Sequence, residues 1–392
     1  MNRHFFSLIA AILLVVPSFA CTSAIFTGKA TPDGRPLLWK HRDTGELNNR
    51  IDYYPAGGDI IYSFIGLVNS PVGKGEIWTG TNSEGFSIMN TASYNLQSVK
   101  SDIVDREGTV MYKALATCRN LSDFEKMLDN MPRPIGVEAN FGVIDAEGGA
   151  AYYEVNNTDW VKFDVNDPDV APDGYMVYTN FSNSGRENKG SGYMRYQTAS
   201  AIFSEAYEKG TEITPQWIFN NLSRSYRHDF LGIDLSKDEN AAPKGWFTDS
   251  DFIPRRITSA SIVVKGVKKG ENPDLTVMWT VLGYPPCSVA VPLFVKGGEQ
   301  MPSYMTSNDP KGNSKLCDIA LSRREEIFSV HRGNGNNYFN FGKVKEYMEM
   351  LSPVENEIFS KFVPFMEKQY GKGSLNVKQL VRYYESLPSI VQ

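Results

Sequence analysis

Short apolar and alternating runs dominate residues 21–100, and turn residues separate them, which is the pattern of β-strands. The stretches "CTSAIFTG" and "RPLLWKHRD" predict two strands around the turn Thr31-Pro32-Asp33-Gly34, because proline and Asp-Gly favour turns. "DIIYSFIGLV" and "EGFSIMNTAS" predict two further strands. We therefore expect the first part of the chain to be mainly β-sheet.

Apolar residues recur at helical spacing in three later regions. Asp105 to Met131 predicts a helix, in which Ser122 before Glu125 matches a capping box. Arg195 to Tyr207 predicts a second helix. From Asp318 onward the tail is expected to be mostly helical, since "VKEYMEMLS" and "NEIFSKFVPFMEKQY" both keep that period.

Further strands occupy the middle of the chain. "ANFGVIDAEGGAAYYEVNNTDWVKFDV" predicts a meander with tight Gly and Asn turns, and "GYMVYTNF" another strand. "RRITSASIVVKGV" and "DLTVMWTVLG" are expected to pair as antiparallel neighbours. Blocks of helix among such strands favour an α+β fold, with helices covering both outer faces of a two-sheet sandwich. No convincing linker divides the chain, so residues 21–392 are predicted to form one domain with a C-terminal helical extension from about residue 318.

Composition narrows the function classes. The chain has 392 residues, 41% of them apolar, which is enough for a sizeable core. The net charge of −5 provides no general attraction to nucleic acid. After residue 20 we find no apolar run long enough to span a membrane. A general affinity for nucleic acid is therefore not expected, and whether the chain forms a homo-oligomer is left open.

The first twenty residues differ from the rest. Arg3 and His4 precede an apolar run over residues 5–16, and Ser18 and Ala20 place small residues at a cleavage motif. This three-part pattern predicts a secretory signal peptide over residues 1–20. Export to the periplasm or the medium follows, with Cys21 as the new N-terminus.

An N-terminal cysteine carries its own catalytic pair. The thiolate is the nucleophile, and the α-amine, with a pKa of about 7.7–8.0, is a base held a few bonds from the thiol. Such a site also needs a group that orients the amine and hydrogen-bond donors for the oxyanion. A nearby cation would lower the pKa of the thiol.

Five sequence blocks resemble those of the N-terminal-nucleophile (Ntn) cysteine hydrolases. They are "CTS" with the turn "ATPDGRPLL" and the charged run to Asp43, then "NSEGFSIMN", "MVYTNF", "DSDFIPRRITSA" and "VMWTVLGYPPCSVAVPLFV". The group includes choloylglycine hydrolases, penicillin V acylases, acyl-coenzyme A:isopenicillin N acyltransferases and acid-ceramidase-like relatives. The resemblance covers about Cys21 to Val295 and implies a four-layer αββα sandwich.

The resemblance also implies roles for particular residues. Cys21 would be the nucleophile, Asp43 would hold the amine, and Asn180 would orient the amine or line the oxyanion hole. Asn90 would be the other oxyanion donor. Arg256 would lie near the thiol, with Arg255 as a close competitor. Lys40 stands where many relatives have arginine; it would bind substrate, and it keeps the charge but not the bidentate fork.

The implied reaction is hydrolysis of a linear amide, in an N-acyl amide or a conjugated bile-acid-like substrate, through an acyl-thioester and without a cofactor or metal. An acyltransferase or a dipeptidase of the same fold is an alternative. A non-catalytic lipoprotein lipidated at Cys21 is another, although Ser18-Phe19-Ala20 lacks the leucine of a lipobox. A papain-like enzyme is disfavoured because it needs a histidine partner in another sequence context.

The remaining cysteines and histidines suggest no further chemistry. Cys118, Cys287 and Cys317 form no CxxC pair, which disfavours zinc, and disulfide pairing is left open. Cys118, in "KALATCRNL", is expected to be a buried helix residue. His228 and His331 show no metal-ligand spacing.

Overall fold

The apolar runs form antiparallel sheets in a computed structural model that describes residues 20–72, 75–249, 251–332 and 336–387. The strands are β1 (Thr22–Phe26), β2 (Leu37–Asp43), β3 (Asn49–Tyr54), β4 (Phe64–Asn69), β5 (Thr79–Asn82), β6 (Ser87–Ala92), β7 (Ala139–Ile144), β8 (Ala150–Val155), β9 (Trp160–Asp164), β10 (Tyr175–Tyr178), β11 (Arg227–His228), β12 (Ile233–Asp234), β13 (Trp246–Thr248), β14 (Thr258–Lys265), β15 (Val277–Leu282), β16 (Val291–Leu293), β17 (His331–Arg332) and β18 (Asn336–Asn340).

Eight α-helices accompany the strands in the described ranges. They are α1 (Glu107–Thr117), α2 (Leu121–Asp129), α3 (Tyr193–Glu208), α4 (Pro215–Ile218), α5 (Ala241–Lys244), α6 (Lys315–Ile327), α7 (Phe341–Lys372) and α8 (Val377–Glu385). A π-helical turn, Phe219–Ser223, follows α4 directly.

Two large sheets carry the fold. The first sheet has six strands in the order β10-β1-β2-β14-β15-β16, and the second has seven in sequence order, β3 to β9. Both are antiparallel throughout. Their facing sides share one core, in which Ile25 of the first sheet lies with Met89 and Tyr152 of the second.

Helices cover the outer faces of both sheets. On the second sheet, Leu115 of α1 and Phe124 of α2 pack with Ile88 and Val143 in a separate core. On the first sheet, Phe203 of α3 meets Trp39 edge-on, and Phe359 of α7 stacks on Trp279 with ring centroids 4.0 Å apart. The order helix, sheet, sheet, helix confirms the expected four-layer αββα sandwich of the α+β class.

The predicted helix at 105–131 is two helices. Residues 118–120 separate α1 from α2, and Asn120 caps α2 by accepting a hydrogen bond from the backbone N–H of Asp123. Ser122 lies inside α2, so its assignment as the cap was wrong. Asparagine is as good a cap as serine, and it stands where the backbone is still extended.

The C-terminal segments merge into one long helix. Helix α7 runs for 32 residues through Pro353 and Pro364. Its apolar side joins the core beneath β15, where Ile358 and Phe362 are buried. Whether residues 318–392 form an extension of the predicted single domain stays a prediction.

The predicted leader, the four cysteines and the absence of a membrane span can each be compared with the described residues. Residues 1–19 of the predicted signal peptide (1–20) lie outside the described residues, and its last residue, Ala20, is buried. All four cysteines are described and free, and Cys118 is buried at the end of α1. In the described ranges, no helix combines the length and apolarity needed to cross a membrane.

Candidate active site

Cys21 lies at the start of β1, beside the end of β2. The β1–β2 register pairs Thr22 with His41, so the turn predicted at residues 31–34 brings Asp43 next to Cys21. The Cys21 thiol lies 3.8 Å from the backbone carbonyl oxygen of Asp43. Cys21 lines a cavity of about 310 Å³ together with Lys40, Asp43 and Asn90.

The carboxylate of Asp43 is buried, and both of its oxygens accept hydrogen bonds. Its Oδ2 accepts hydrogen bonds from Nη2 and Nε of Arg255, at 2.5 and 3.1 Å. Its Oδ1 accepts one from the hydroxyl of Thr258, at 2.6 Å. Burial opposes the charge of Arg255, but Asp43 beside it raises the pKa of Arg255 above its ordinary value.

The same arginine reaches the residue before the nucleophile. Nη2 of Arg255 donates to the carbonyl oxygen of Ala20 at 3.2 Å. One guanidinium nitrogen therefore joins the Ala20–Cys21 peptide to the carboxylate of Asp43. Hydrolysis of that peptide bond would free the Cys21 amine close to this carboxylate.

Arg195 holds the backbone of the nucleophile from the other side. It is fully buried, and its Nη1 donates to the carbonyl oxygen of Cys21 at 2.7 Å and to the hydroxyl of Thr22 at 2.8 Å. Its Nη2 donates to Oδ1 of Asn180 at 2.8 Å. Burial lowers the pKa of Arg195 to about 10, which leaves it charged at neutral pH.

The start of α3 fits closely around Arg195. Gly192 precedes the helix with φ +80°, and a Cβ there would lie 2.4 Å from Nη2 of Arg195. Asn180 follows β10, and its Nδ2 donates to the carbonyl oxygen of Ala92 at 2.9 Å. The amide of Asn180 thus links the two sheets beside Cys21.

Lys40 and Asn90 meet at the floor of the cavity. Nζ of Lys40 donates to Oδ1 of Asn90 at 2.6 Å and to the carbonyl oxygen of Trp78 at 2.5 Å. Burial lowers the pKa of Lys40 to about 7, an effect that Cys21 opposes and Arg42 reinforces. The lysine stem crosses from the first sheet to the second, because Asn90 belongs to β6.

Arg42, two residues along β2, makes a similar contact. Its Nη2 donates to Oδ1 of Asn69 at 2.8 Å, and its guanidinium carbon lies 4.9 Å from the ring centroid of Trp78. Burial lowers the pKa of Arg42 to about 10. Residues two apart on a strand share a face, so Lys40 and Arg42 both point into the cavity.

Carboxylates occupy the outer part of the cavity wall. Glu46, Glu76, Asp105 and Glu107 are partly or fully exposed and line it with the buried cations. Burial raises the pKa of Glu107 to about 7, with a smaller contribution from the charge of Asp105. The cavity is thus cationic at its floor and acidic towards solvent.

The structure brings most of the predicted site residues together. Cys21, Lys40, Asp43 and Asn90 line one cavity, and Asn180 joins them through Arg195. The placement of Arg256 near the thiol stays a prediction. Arg255, the close competitor of Arg256, is the arginine that hydrogen-bonds Asp43 and the carbonyl of Ala20.

The physical reason lies in the turn before β14. The backbone N–H of Arg255 donates to the hydroxyl of Thr258, and this turn aims the Arg255 side chain at Asp43. The backbone N–H of Arg256 donates to Oδ2 of Asp249 at 2.8 Å, and its carbonyl oxygen accepts from Nε of Arg324 at 2.8 Å. Sequence spacing alone does not show which of two adjacent arginines bonds Asp43.

Sequence reasoning missed Arg195 and the Arg42–Asn69 pair. Arg195 stands in the first turn of an amphipathic helix, where an arginine normally faces water. Its burial depends on contacts with residues 173 and 174 positions earlier in the chain. The run Lys40-His41-Arg42-Asp43 within an apolar strand was the available sign that charged groups would be buried there.

Comparison with known proteins gives structural neighbours and no sequence relatives. No family model matches the chain, and no curated protein matches it. The conjugated bile acid hydrolase of Clostridium perfringens, as a variant, is similar with a TM-score of 0.44 and 12% identity, over 75% of this chain and 95% of that one.

Two other solved structures are similar to the chain. A Caenorhabditis elegans ortholog of N-acylethanolamine-hydrolyzing acid amidase has a TM-score of 0.40 and 15% identity, over 62% of this chain and 92% of that one. Penicillin V acylase from Agrobacterium tumefaciens has a TM-score of 0.38 and 11% identity, over 70% of this chain and 86% of that one. These neighbours are Ntn hydrolases, the group that the sequence resembles. The αββα assignment rests on the sheets and helices themselves.

Proposed function

We propose that this chain is an exported amide hydrolase whose nucleophile is the thiol of an N-terminal Cys21. The observation that carries the proposal is the junction at Cys21, where Arg255 joins the Ala20 carbonyl to Asp43. Removal of residues 1–20 would leave the α-amino group of Cys21 beside a buried carboxylate. The thiol would remain in the cavity that Lys40 and Asn90 line.

The reaction follows from these positions. The α-amine takes the proton of the Cys21 thiol, and sulfur attacks the amide carbonyl carbon. The oxygen of that carbonyl gains the negative charge, which an N–H of Asn90 stabilises. When the tetrahedral intermediate collapses, the C–N bond breaks and the α-ammonium returns its proton to the leaving amine. Water then attacks the acyl-thioester, giving a carboxylic acid and the free thiol.

The cavity supports a small substrate, with an N-acyl amide or a conjugated bile-acid-like amide as the proposed classes. An acyltransferase or a dipeptidase would share the first half of this sequence. In the acyltransferase an amine replaces water as the acceptor of the acyl group. In the dipeptidase the leaving amine belongs to an amino acid.

Lipidation of Cys21 is the alternative from another class, and the geometry argues against it. Ala20 and Cys21 are 2% and 7% exposed, and Cys21 lines a cavity of only about 310 Å³. A diacylglyceryl group on sulfur would need both the cavity and a path to the surface. The amine of a lipidated cysteine would also be acylated, which would remove the base.

Intact mass spectrometry of the purified protein separates these proposals. We expect a chain that begins at an unmodified Cys21. A lipid adduct at Cys21 would contradict the hydrolase proposal.

Activity is then screened on bile-acid conjugates, penicillin V, N-acyl amino acids and dipeptides. Cys21→Ala should abolish turnover, whereas Cys118→Ala, at the end of α1 and outside the cavity, should retain it. Persistent hydrolysis by Cys21→Ala would show that the thiol is not the nucleophile.

A further inference from the structure

Two buried cations of β2 each end on the side-chain oxygen of an asparagine. Lys40 donates to Oδ1 of Asn90, and Arg42 donates to Oδ1 of Asn69. Both asparagines belong to the second sheet and line the cavity that contains Cys21. The same pairing therefore occurs twice on one face of one strand.

An arginine has donors and no acceptor, and the Lys40 amino group directs one N–H to the Trp78 carbonyl and another to Asn90. Facing such a group, an asparagine amide must present its oxygen, since the opposite orientation would place N–H groups against N–H groups. The cation thereby fixes which end of the amide points away from it. For Asn90, the end that points away is the Nδ2 group.

Nδ2 of Asn90 stays free to bind a ligand. It donates to none of the described residues. It is not a fully buried atom either, so it reaches the cavity that Asn90 lines. Asn180 differs, because its Nδ2 already donates to the carbonyl oxygen of Ala92. Nδ2 of Asn90 carries two N–H groups, and no described residue accepts a hydrogen bond from either of them.

We infer that Lys40 is a positioning residue, which acts on the reaction through Asn90 by holding the amide so that Nδ2 faces the acyl oxygen at Cys21. This inference rests on the proposed function and assigns Lys40 a role other than direct contact with substrate. Lys40 is 2% exposed, and its ammonium donates its described hydrogen bonds to Asn90 and to the carbonyl oxygen of Trp78.

The shape of lysine explains why this residue suits the position. Its ammonium is a compact group on a flexible stem, and it donates to the carbonyl oxygen of Trp78, just before β5, and to Oδ1 of Asn90 in β6, at 2.5 and 2.6 Å. The planar fork of arginine suits paired oxygens lying in one plane. Arg42 makes the equivalent contact where the acceptors are Asn69 and the hydroxyl of Ser259.

The first test removes the ammonium while keeping the side-chain length. Lys40→Met should lower kcat by about 100-fold, the typical loss for one oxyanion donor, and leave KM within about threefold. Lys162→Met, on the surface of β9, is the matched control and should change neither constant. A rise in KM at unchanged kcat would overturn the inference, because it would show direct substrate binding by Lys40.

A double-mutant cycle separates positioning from other effects of the charge. If Lys40 acts through Asn90, adding Lys40→Met to the Asn90→Ala variant should lower kcat by less than about a further threefold. A further loss near 100-fold in the double variant would overturn the inference, since Lys40 would then act independently of Asn90.

Comparing the affinities of an aldehyde and an alcohol inhibitor distinguishes positioning of Asn90 from a purely structural role of Lys40. Loss of a structural role would weaken both affinities alike. The Cys21 thiol adds to the aldehyde analogue of a substrate: a C–S bond forms, the C=O double bond becomes a C–O single bond, and the thiol proton passes to the α-amine. The former carbonyl oxygen then carries the negative charge in the oxyanion position. Lys40→Met should weaken binding of the aldehyde that matches the best substrate by at least tenfold more than binding of the corresponding alcohol. Equal weakening of both would contradict the positioning role.

Asn90→Asp keeps the inference testable if Lys40→Met does not fold. The carboxylate still pairs with Lys40, so folding should persist, but it offers an acceptor where the reaction needs a donor. Its kcat should fall at least as far as that of Asn90→Ala, and full activity would overturn the inference. A wild-type protein that turns over none of the amides would instead contradict the proposed function itself.

Discussion

Of the adjacent residues Arg255 and Arg256, Arg255 is the one whose side chain hydrogen-bonds Asp43. Asp43 carries a buried negative charge, and Arg255 supplies two of its hydrogen bonds. Removal of one partner from a buried ion pair leaves the other charge uncompensated, which typically costs about 3–5 kcal/mol.

We predict that Arg255→Met lowers the free energy of unfolding by about 3 kcal/mol and abolishes turnover, because Asp43 loses its counter-charge. Arg256→Met is the matched comparison and should keep more activity. Urea unfolding and steady-state kinetics on both variants check this. Greater damage to activity by Arg256→Met would contradict the assignment of Arg255 to the site.

Glu107 predicts a pH dependence of stability. Its pKa is raised to about 7 in the folded protein from about 4.5 in the unfolded chain, so between these values the folded state binds more protons. Stability from this group is therefore present in full below about pH 4.5 and is lost as pH rises to about 7.

Urea unfolding at pH 5 and pH 7.5 measures that loss. Wild type should lose more stability than Glu107→Gln between the two values, whereas Glu349→Gln, exposed on α7, should behave like wild type. Equal losses in wild type and Glu107→Gln would show that Glu107 does not titrate in this range.

Residue-level prediction from sequence succeeded where the local context was distinctive. Cys21 follows an apolar leader, and Asp43 ends a strand that begins after a strong turn, so both could be named. Arg195 could not, because its partners Cys21 and Asn180 come together only when β1 and β10 pair. The orientation of the Asn90 amide likewise depends on contact between strands of different sheets.

At the scale of elements, a buried ion pair attaches α7 to the body of the protein. Arg224, just after the π-helical turn, donates to both oxygens of Glu355 at 2.9 and 2.7 Å. The backbone N–H of Ala290 also donates to Glu355, at 2.7 Å. Three donors thus converge on one carboxylate of a helix that packs beneath β15.

We predict that Glu355→Gln destabilises the protein by about 3 kcal/mol, because Arg224 remains buried without its counter-charge. Glu357→Gln, two residues along the same helix and half exposed, should change stability by less than about 0.5 kcal/mol. Thermal and urea unfolding of both variants test the difference. Equal stabilities would show that the pair does not hold α7 in place.

Strands were easier to predict than helix limits. Alternation and turn residues located β1, β2, β14 and β15, since a strand that faces a core has a period of two. The break between α1 and α2 was missed because apolar spacing continues across residues 118–120. The length of α7 was also missed, since two prolines normally end a helix unless tertiary packing holds it.

At the scale of the whole molecule, the site lies where the two sheets meet. The first sheet supplies Cys21, Lys40 and Asp43, and the second supplies Asn69 and Asn90. The nucleophile thus belongs to the first sheet, and the amide donor of Asn90 belongs to the second. The αββα arrangement therefore creates the site by placing β2 against β4 and β6.

The central claim is that Cys21 reacts as an N-terminal residue. Mass spectrometry of a quenched reaction with an amide substrate tests this most directly, by locating the acyl group and the start of the chain in the same fragment. The account predicts an acyl-thioester on the sulfur of a fragment that begins at Cys21. An acyl group elsewhere, or equal activity in a chain that retains Ala20, would contradict it.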